Sequence, residues 1–329
     1  MIKKSRHGIL DILRKHYTDV RITIVNDMAD LEALAARKPD LVFLGMKFVP
    51  ADLSLGLNDP GKVWVTDFLD EHNITYTGSN RLSNELERNK HLAKARVQSL
   101  GLNTSPFCVV PSNTIPVEDN ISLTYPLFIK PTNRGGGRGI DSKSVVRNFE
   151  QLTTKVSLLS EELNSDSLIE QYLSGREFSV AILKQVDSDE YLALPIEKIA
   201  PPDEHGERLL SGEVKSSDVA IDKLVTDATI KKAITELALA VFHALGAQDF
   251  GRIDLRLNEA GEPQFLEANL IPSLIAGYGS FPKSCFMNAQ LSHETIILQI
   301  VQLAFARQIN LIDSTDEKEE LKLASQPVA

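Results

Sequence analysis

The stretch "FGRIDLRLNEAGEPQFLEANLIP", residues 250–272, has two alternating runs on either side of "NEAGEP". Gly261 in that polar turn predicts a β-hairpin with a loop of a few residues. Pairing Asn258 with Pro263 sets Asp254 opposite Glu267, because antiparallel partners keep a constant sum of residue numbers. Side chains two apart share a strand face, so Arg252 joins Asp254, and Asn269 joins Glu267. Like charges facing each other destabilise a hairpin, so the two carboxylates require a cation between them. Carboxylate and amide oxygens suit a hard ion, and Mg²⁺ sharing its shell with phosphate fits better than Zn²⁺. An ordinary solvated hairpin face would show the same alternation.

The next informative stretch is "YPLFIKPTNRGGGRGI", residues 125–140. A strand delivers Lys130, and Gly135, Gly136, Gly137 and Gly139 follow, with Arg138 among them. Glycines allow positive φ and bring backbone N–H groups close to an anion, which predicts a mobile lid over phosphates. The Gly-Lys-Ser/Thr ending of a Walker A loop is missing, and GxGxxG does not match. A run of three glycines is more often only a flexible loop; its link to a strand lysine favours the lid. In "SLIEQYLSGREFSVAIL", residues 167–183, an acidic connection between two strands carries Glu170 and Glu177. Such a hinge can offer backbone groups to an adenine edge and a carboxylate to ribose hydroxyls. The alternative is two solvated glutamates. "SGEVKSSD", residues 211–218, carries Lys215 among small polar residues, where a plain surface lysine is the default.

Composition bounds the class. A chain of 329 residues is too long for one ordinary core, and 43% hydrophobic with 24% charged residues is the balance of a soluble globular protein. A formal charge of -10 argues against nucleic acid as the main partner. Cys108 and Cys285 are far apart and lack metal-ligand spacing, so a reducing cytoplasm is the expected compartment. The first 17 residues have charges but no long apolar core after them, so no secretion signal is read. The apolar runs "ELALAVFHALGA" and "TIILQIVQLAFA" fall short of the roughly 20 residues that span a bilayer and are read as buried helices.

Periodicity divides the chain into three regions and a tail. Residues 1–80 alternate helix ("GILDILRKHY", "MADLEALAARK", "VTDFLDEHN") with strand ("RITIV", "DLVFLGM", "ITYTGS"), which predicts a small doubly wound α/β layer. Residues 81–175 open with one helix, "LSNELERNKHLAKARVQSLG", followed by the strands "FCVV" and "PLFIK". Residues 176–307 contain the hairpin, and 308–329 read as a mobile tail.

Taken in order, Lys90, "YPLFIKP" with "GGGRG", "IEQYLSGREFSVAIL", "DFGRIDLRL" and "FLEANLIP" resemble the ATP-grasp superfamily, most of all its D-alanine-D-alanine ligase branch. The resemblance spans about residues 74–285, and the combination is specific although each piece is weak. It implies an α/β N-terminal domain followed by an ATP-grasp fold, two α+β subdomains enclosing ATP. It also implies two Mg²⁺ ions, or Mn²⁺ in their place, and a substrate carboxylate that is phosphorylated and then attacked by an amine. Asp254, Glu267 and Asn269 resemble the metal ligands, and Lys90, Lys130 and Lys215 the phosphate-contacting lysines. Glu170, Gln171, Tyr172 and Leu173 resemble the adenine-side hinge, and Glu177 the ribose carboxylate. Arg252 resembles the arginine that steadies the oxyanion of the tetrahedral intermediate, with the Ser273 N–H beside it. Ser280 lies near the family's contact for the carboxylate of the second amino acid, offset by an extra residue in "GYGSFP".

Departures fall on the substrate side. The family's opening strand, with its Gly-rich Ser-x-Glu turn, has no counterpart ahead of the first helix, and "LGMKFVPADLSLGLNDPGK" replaces an HGxxGEDG-type segment. The lid serine is glycine, and the tyrosine-bearing stretch after Lys215 shrinks to "SSDVAIDK". These features predict a ligase joining an acid and an amine other than, or broader than, D-alanine. A true D-alanine-D-alanine ligase with an unusual N-terminus and a non-catalytic ATP-binding regulator are the alternatives. Arg252 argues against the last, because ATP binding alone needs no oxyanion arginine. The strand "RITIV" would present an open sheet edge, which together with the resemblance predicts a homodimer.

Overall fold

The computed structural model describes residues 1–217 and 219–324. The chain begins with α1 (Lys3–Leu13) and α2 (Met28–Ala35), continues through a two-stranded pair, β1 (Phe48–Val49) and β2 (Val63–Trp64), and reaches α3 (Val65–Glu71). The second and third helices start where apolar spacing predicts them, and the first, expected over residues 8–17, instead spans Lys3–Leu13, whereas the doubly wound sheet does not form as predicted. Residues 21–25 belong to no strand, and of the other two predicted strands only an isolated parallel bridge, Val42↔Tyr76, is present. Alternation marks a segment that can sit in a sheet, but a strand exists only when a neighbour takes its backbone groups. No backbone hydrogen bond joins residues 21–25 to any other described segment.

The single long helix expected after Asn80 is two, α4 (Arg81–Arg88) and α5 (Lys90–Ser99). Asn89, at ψ 84, breaks the ladder between them. The break makes Lys90 the first residue of a new helix, with its N–H bonded 3.0 Å from the Thr132 carbonyl. A continuous helix would not place Lys90 at such a start.

The central sheet contains β3 (Phe107–Val110), β4 (Leu127–Pro131), β5 (Val145–Val146) and β6 (Ser167–Gln171) in the order β3-β6-β4-β5, all antiparallel. Between β5 and β6, α6 (Phe149–Leu163) starts at an Asn148 cap and packs Leu152, Val156 and Leu159 on Leu127, Ile129 and Ile169.

The second sheet is built from β7 (Glu177–Lys184), β8 (Tyr191–Ile199), a short α7 (Gly212–Ser217), β9 (Ile221–Leu224), α8 (Ala228–Ala244), β10 (Phe250–Leu257) and β11 (Pro263–Asn269). Its order is β11-β10-β7-β8-β9. Phe178, Val180 and Ile182 of β7 and Ile253 and Leu255 of β10 pack with Ile234, Ala238 and Val241 of α8. On the other face, Ala181 and Leu183 pack against Phe281 and Cys285 of α9 (Ser280–Ala289) and Ile296 and Ile300 of α10 (His293–Ala324). Alternation therefore explains the hairpin's polar residues: one face of β10 builds the core, and Arg252, Asp254 and Arg256 stand on the other. The last helix continues to Ala324, through most of the stretch predicted to be a mobile tail; residues 325–329 of that stretch lie outside the described residues.

The hairpin register corrects one expectation and preserves its consequence. At the turn Leu257, not Asn258, pairs with Pro263, and Leu255 pairs with Phe265. A β-bulge then leaves Leu266 without a partner, and beyond it Asp254 faces Glu267 and Arg252 faces Asn269. The extra residue shifts the pairing by one and restores the juxtaposition that a regular ladder from Asn258 would have given.

Candidate active site

Arg252, Asp254 and Arg256 on β10 and Glu177 and Ser179 on β7 meet on one face because the register pairs Asp254 with Ser179 and Arg256 with Glu177. Arg252 grips Asp254 with two parallel bonds, Nε to Oδ1 at 2.9 Å and Nη2 to Oδ2 at 2.8 Å. Ser179 Oγ donates to Asp254 Oδ1 at 2.6 Å. Arg256 donates to the Gly175 carbonyl at 3.0 Å and lies 3.4 Å from Glu177 Oε2. Burial pushes the Glu177 carboxyl up, against the opposing pull of Arg256 and Lys215. Glu267 on β11 behaves differently. Burial pushes its carboxyl up as well, but Lys90, Lys215, Lys130 and Arg252 outweigh it and hold the pKa down at about 2.

Three lysines converge from the central region. Lys90 Nζ donates to the Arg134 carbonyl and lies 3.7 Å from Glu267 Oε2. Burial depresses the Lys90 ammonium, with Glu267 opposing. Glu170 is shared by two lysines, with Lys94 Nζ 2.7 Å from Oε1 and Lys130 Nζ 2.7 Å from Oε2. Burial raises the Glu170 carboxyl, and the two ammonium groups together bring it below the usual carboxylate range. The lysines do not share the cost equally. Lys94, fully enclosed, is pulled down to about 8 by burial despite Glu170. Lys130 is also desolvated, but Glu170 and Glu267 together raise it. Lys94 also donates to Thr104 Oγ1 at 2.6 Å and the Phe265 carbonyl at 3.0 Å, which ties α5 to β11.

Two cavities meet here. The smaller, about 70 Å³, is lined by Lys130, Glu170, Gln171, Tyr172, Leu173 and Glu177 among others. The larger, about 460 Å³, is lined by Lys90, Gly135, Gly136, Arg252, Asn269, Ser273 and Ser280 among others. Lys215, Asp254 and Glu267 line both and so mark the seam between them. Gln171 turns its side chain to the Thr124 and Pro126 carbonyls, and the Tyr172 N–H goes to Pro126. Among the described residues the Leu173 N–H has no partner. It is the hinge group free to meet an acceptor on a base.

Of the glycine loop, Gly135 and Gly136 face the larger cavity, while Gly137, Arg138 and Gly139 line neither. Gly137 instead touches the entry to α7: a Cβ there would stand 2.7 Å from the Gly212 nitrogen. Tyr278 Oη donates to the Lys215 carbonyl at 2.8 Å and holds α7 from the other side.

Asp254, Glu267 and Asn269 offer two carboxylates and an amide oxygen at the seam. This donor set fits Mg²⁺ completed by phosphate oxygens. Among the described residues no three His, Cys, Asp or Glu side chains form a closed metal cluster. Lys94, Arg256 and Ser179 were missed by the sequence reading. Arg256 continues the two-residue period of Arg252 and Asp254, and Lys94 lies one helical turn from Lys90, so both carried a periodic signal. Ser179 had none, since its role depends on which strand pairs with β10.

A family model described as D-ala D-ala ligase C-terminus matches residues 97–302, more than half of the chain. The chain belongs to the D-Ala-D-Ala ligase family. As a member of that family it is an ATP-grasp ligase. Its relatives include the D-alanine--D-alanine ligase of Hydrogenovibrio crunogenus, 29% identical over 237 residues, covering 71% of this chain and 71% of the relative. An uncharacterized protein, y4sG, of Sinorhizobium fredii is 28% identical over 247 residues, covering 74% of this chain and 70% of the relative. The fold is that of the D-alanine--D-alanine ligase of Bacillus anthracis complexed with ATP, with a TM-score of 0.71 and 18% identity over 94% of this chain and 96% of that one. In this D-Ala-D-Ala ligase family member, no helix of the described residues is long and apolar enough to cross a membrane.

Proposed function

We propose that the protein forms an amide between a carboxylic acid and an amine through an acyl phosphate, with a substrate pair other than, or broader than, two D-alanines. The observation that carries this reading is the seam, where Lys215, Asp254 and Glu267 are shared by the two cavities. The smaller cavity would take the base and ribose, with the Leu173 N–H on the adenine edge and Glu177 on the ribose hydroxyls. Lys130, Lys90 and Lys215 would hold the phosphates, and Gly135 and Gly136 would cover them. Asp254, Glu267 and Asn269 would hold two Mg²⁺ ions, or Mn²⁺ in their place. Bound there, the metal would neutralise phosphate charge and polarise the γ-phosphoryl group.

A carboxylate oxygen of the acid attacks the γ-phosphorus and ADP leaves. The amine nitrogen then attacks the acyl carbon, phosphate leaves with its bonding electrons, and the nitrogen loses a proton. Arg252 and the Ser273 N–H would stabilise the oxyanion between the two events, and Ser280 would receive a carboxylate of the second substrate. Arg252 is now committed to Asp254, so metal binding at Asp254 would free it for that role. The smaller cavity falls well below the ~300 Å³ at the low end of ligand sites, so nucleotide entry requires the glycine loop and α7 to part. The reading includes a cytoplasmic homodimer acting on small molecules; the two free cysteines support the compartment, whereas residues 21–25 form no strand and so supply no open sheet edge for the dimer.

The test is ADP and phosphate release from Mg-ATP across D- and L-amino acids, singly and in pairs, with Glu267→Gln as control. Stimulation by a particular pair, lost in the variant, supports ligation and names the substrates. Full activity with D-alanine alone would make the protein a true D-alanine-D-alanine ligase. ATP binding without turnover on any pair would favour the regulatory reading.

A further inference from the structure

The larger cavity carries charge that this reaction does not use. On the wall formed by the end of α4 and the start of the glycine loop, Lys47, Glu87, Arg88 and Arg134 stand together. Glu87 is taken by an ion pair with Lys47. Arg88 and Arg134 have no carboxylate partner among the described residues, and every hydrogen bond they donate ends on a neutral oxygen. Arg88 reaches the Leu57 carbonyl, and Arg134 reaches Asn133 Oδ1, Asn58 Oδ1 and the Leu163 carbonyl. Asp59, beside Asn58, uses its carboxylate on the backbone N–H groups of Ala51, Asp52 and Gly61.

Neutral acceptors satisfy the N–H groups; Glu87, already paired with Lys47, offsets part of the Arg88 charge and the Phe48 ring lies 4.7 Å from its guanidinium, whereas burial and the Arg138 guanidinium both press on Arg134 with nothing among the described residues to offset them. Arg134 is 6% exposed. Burial first and the Arg134 guanidinium second pull the Arg88 pKa below its ordinary value against the weaker opposing pull of Glu87, so the two cations feel each other. Two desolvated like charges on one cavity wall are unfavourable until an anion joins them. Guanidinium forks suit carboxylate and phosphate oxygens above other ligands. Arg134 is also next to the reaction centre, since its carbonyl accepts from Lys90 Nζ, which faces Glu267.

We propose that Arg88 and Arg134 form an anion subsite, so that one of the two substrates carries an acidic group, carboxylate or phosphate, in addition to the groups that react. The proposal rests on the ligase reading and deepens it by naming a substrate class.

Isothermal titration of the full chain with Mg²⁺ and a non-hydrolysable ATP analogue tests it. The probes are D- and L-glutamate, D- and L-aspartate and phosphoserine, each against its neutral counterpart, glutamine, asparagine or serine. At least one acidic probe is expected to bind about ten- to a hundredfold tighter than its neutral partner, the scale of one charge-assisted hydrogen bond. R88Q and R134Q should abolish that preference and leave analogue affinity within about threefold, which also shows that they fold. R88K, which keeps the charge without the fork, should fall between. Preference for glutamate or aspartate identifies a carboxylate, and preference for phosphoserine a phosphate. Equal binding of acidic and neutral probes, or no binding by any, overturns the subsite. So does loss of analogue affinity in R88Q and R134Q, which would assign the arginines to the ATP phosphates. Tight binding of an acidic probe without ADP release in any pairing would leave the subsite standing and remove the ligase reading.

Discussion

Replacing Gly137 with alanine separates two costs that a glycine loop usually confounds. Gly137 has φ +76 and Gly136 has φ +68, so an alanine at either enters the left-handed region, at about 1 kcal/mol relative to glycine. The surroundings differ. A Cβ at Gly136 meets nothing within 4 Å, whereas one at Gly137 would stand 2.7 Å from the Gly212 nitrogen and 3.0 Å from its Cα. Backbone cannot swing aside as a side-chain tip can, so the glycine loop must move away from α7. Overpacking of this kind costs about 1–3 kcal/mol, and here it falls only on the state in which the loops touch. Gly137→Ala should therefore lower kcat/KM for ATP about 5- to 150-fold more than Gly136→Ala, at 1.36 kcal/mol per decade. ADP release at limiting ATP, with denaturant unfolding showing similar stability for both variants, measures the difference. Equal kinetic losses in the two variants would refute the idea that contact between Gly137 and Gly212 closes the site.

The remaining predictions concern charge. Arg252→Ala should cut turnover by about 10²- to 10³-fold with little change in ATP affinity, as loss of one oxyanion donor does; parallel losses in both would mark Arg252 as structural. Lys94, at about 8 in the fold against a reference of 10.5, binds its proton more weakly than in the unfolded chain, so stability rises as pH climbs from 8 to 10.5. Relative to Lys94→Met the wild type should gain up to ~3 kcal/mol over that window in urea unfolding, and identical pH slopes would count against the buried charge. Lys130, raised by Glu170 and Glu267, would lose its contribution only above its own reference value and does not act in the same window. Glu267, held at about 2 against 4.5, contributes stability that is full above 4.5 and lost as pH falls towards 2. The margin of wild type over Glu267→Gln should be at most ~3 kcal/mol near neutral pH and shrink below 4.5, whereas a margin independent of pH would contradict the assigned surroundings.

The chemistry of this protein was legible wherever it follows a local period. Alternation along residues 250–257 put Arg252 and Asp254 on one face, and the structure keeps them there with two bonds. The turn at Gly261 and the polar hinge around Glu170 were equally local signals. Periodicity could not see the bulge at Leu266, and the predicted pairing of Asp254 with Glu267 survives only because the bulge offsets a one-residue error at the turn.

Other features had no local signal. Asn89 interrupts an otherwise helical run, and its effect is visible only once Thr132 receives the Lys90 N–H. Alternation at residues 21–25 promised a strand that no neighbour completes. Sequence by itself determined which side chains share a strand face, because covalent geometry alternates them without reference to anything distant. Tertiary structure alone decided that Lys94 and Lys130 would share Glu170, that Ser179 would hold Asp254, and that two arginines would meet on one cavity wall with their hydrogen bonds spent on neutral oxygens. Those outcomes depend on burial and on partners far away in sequence, and both exist only after the sheets have packed.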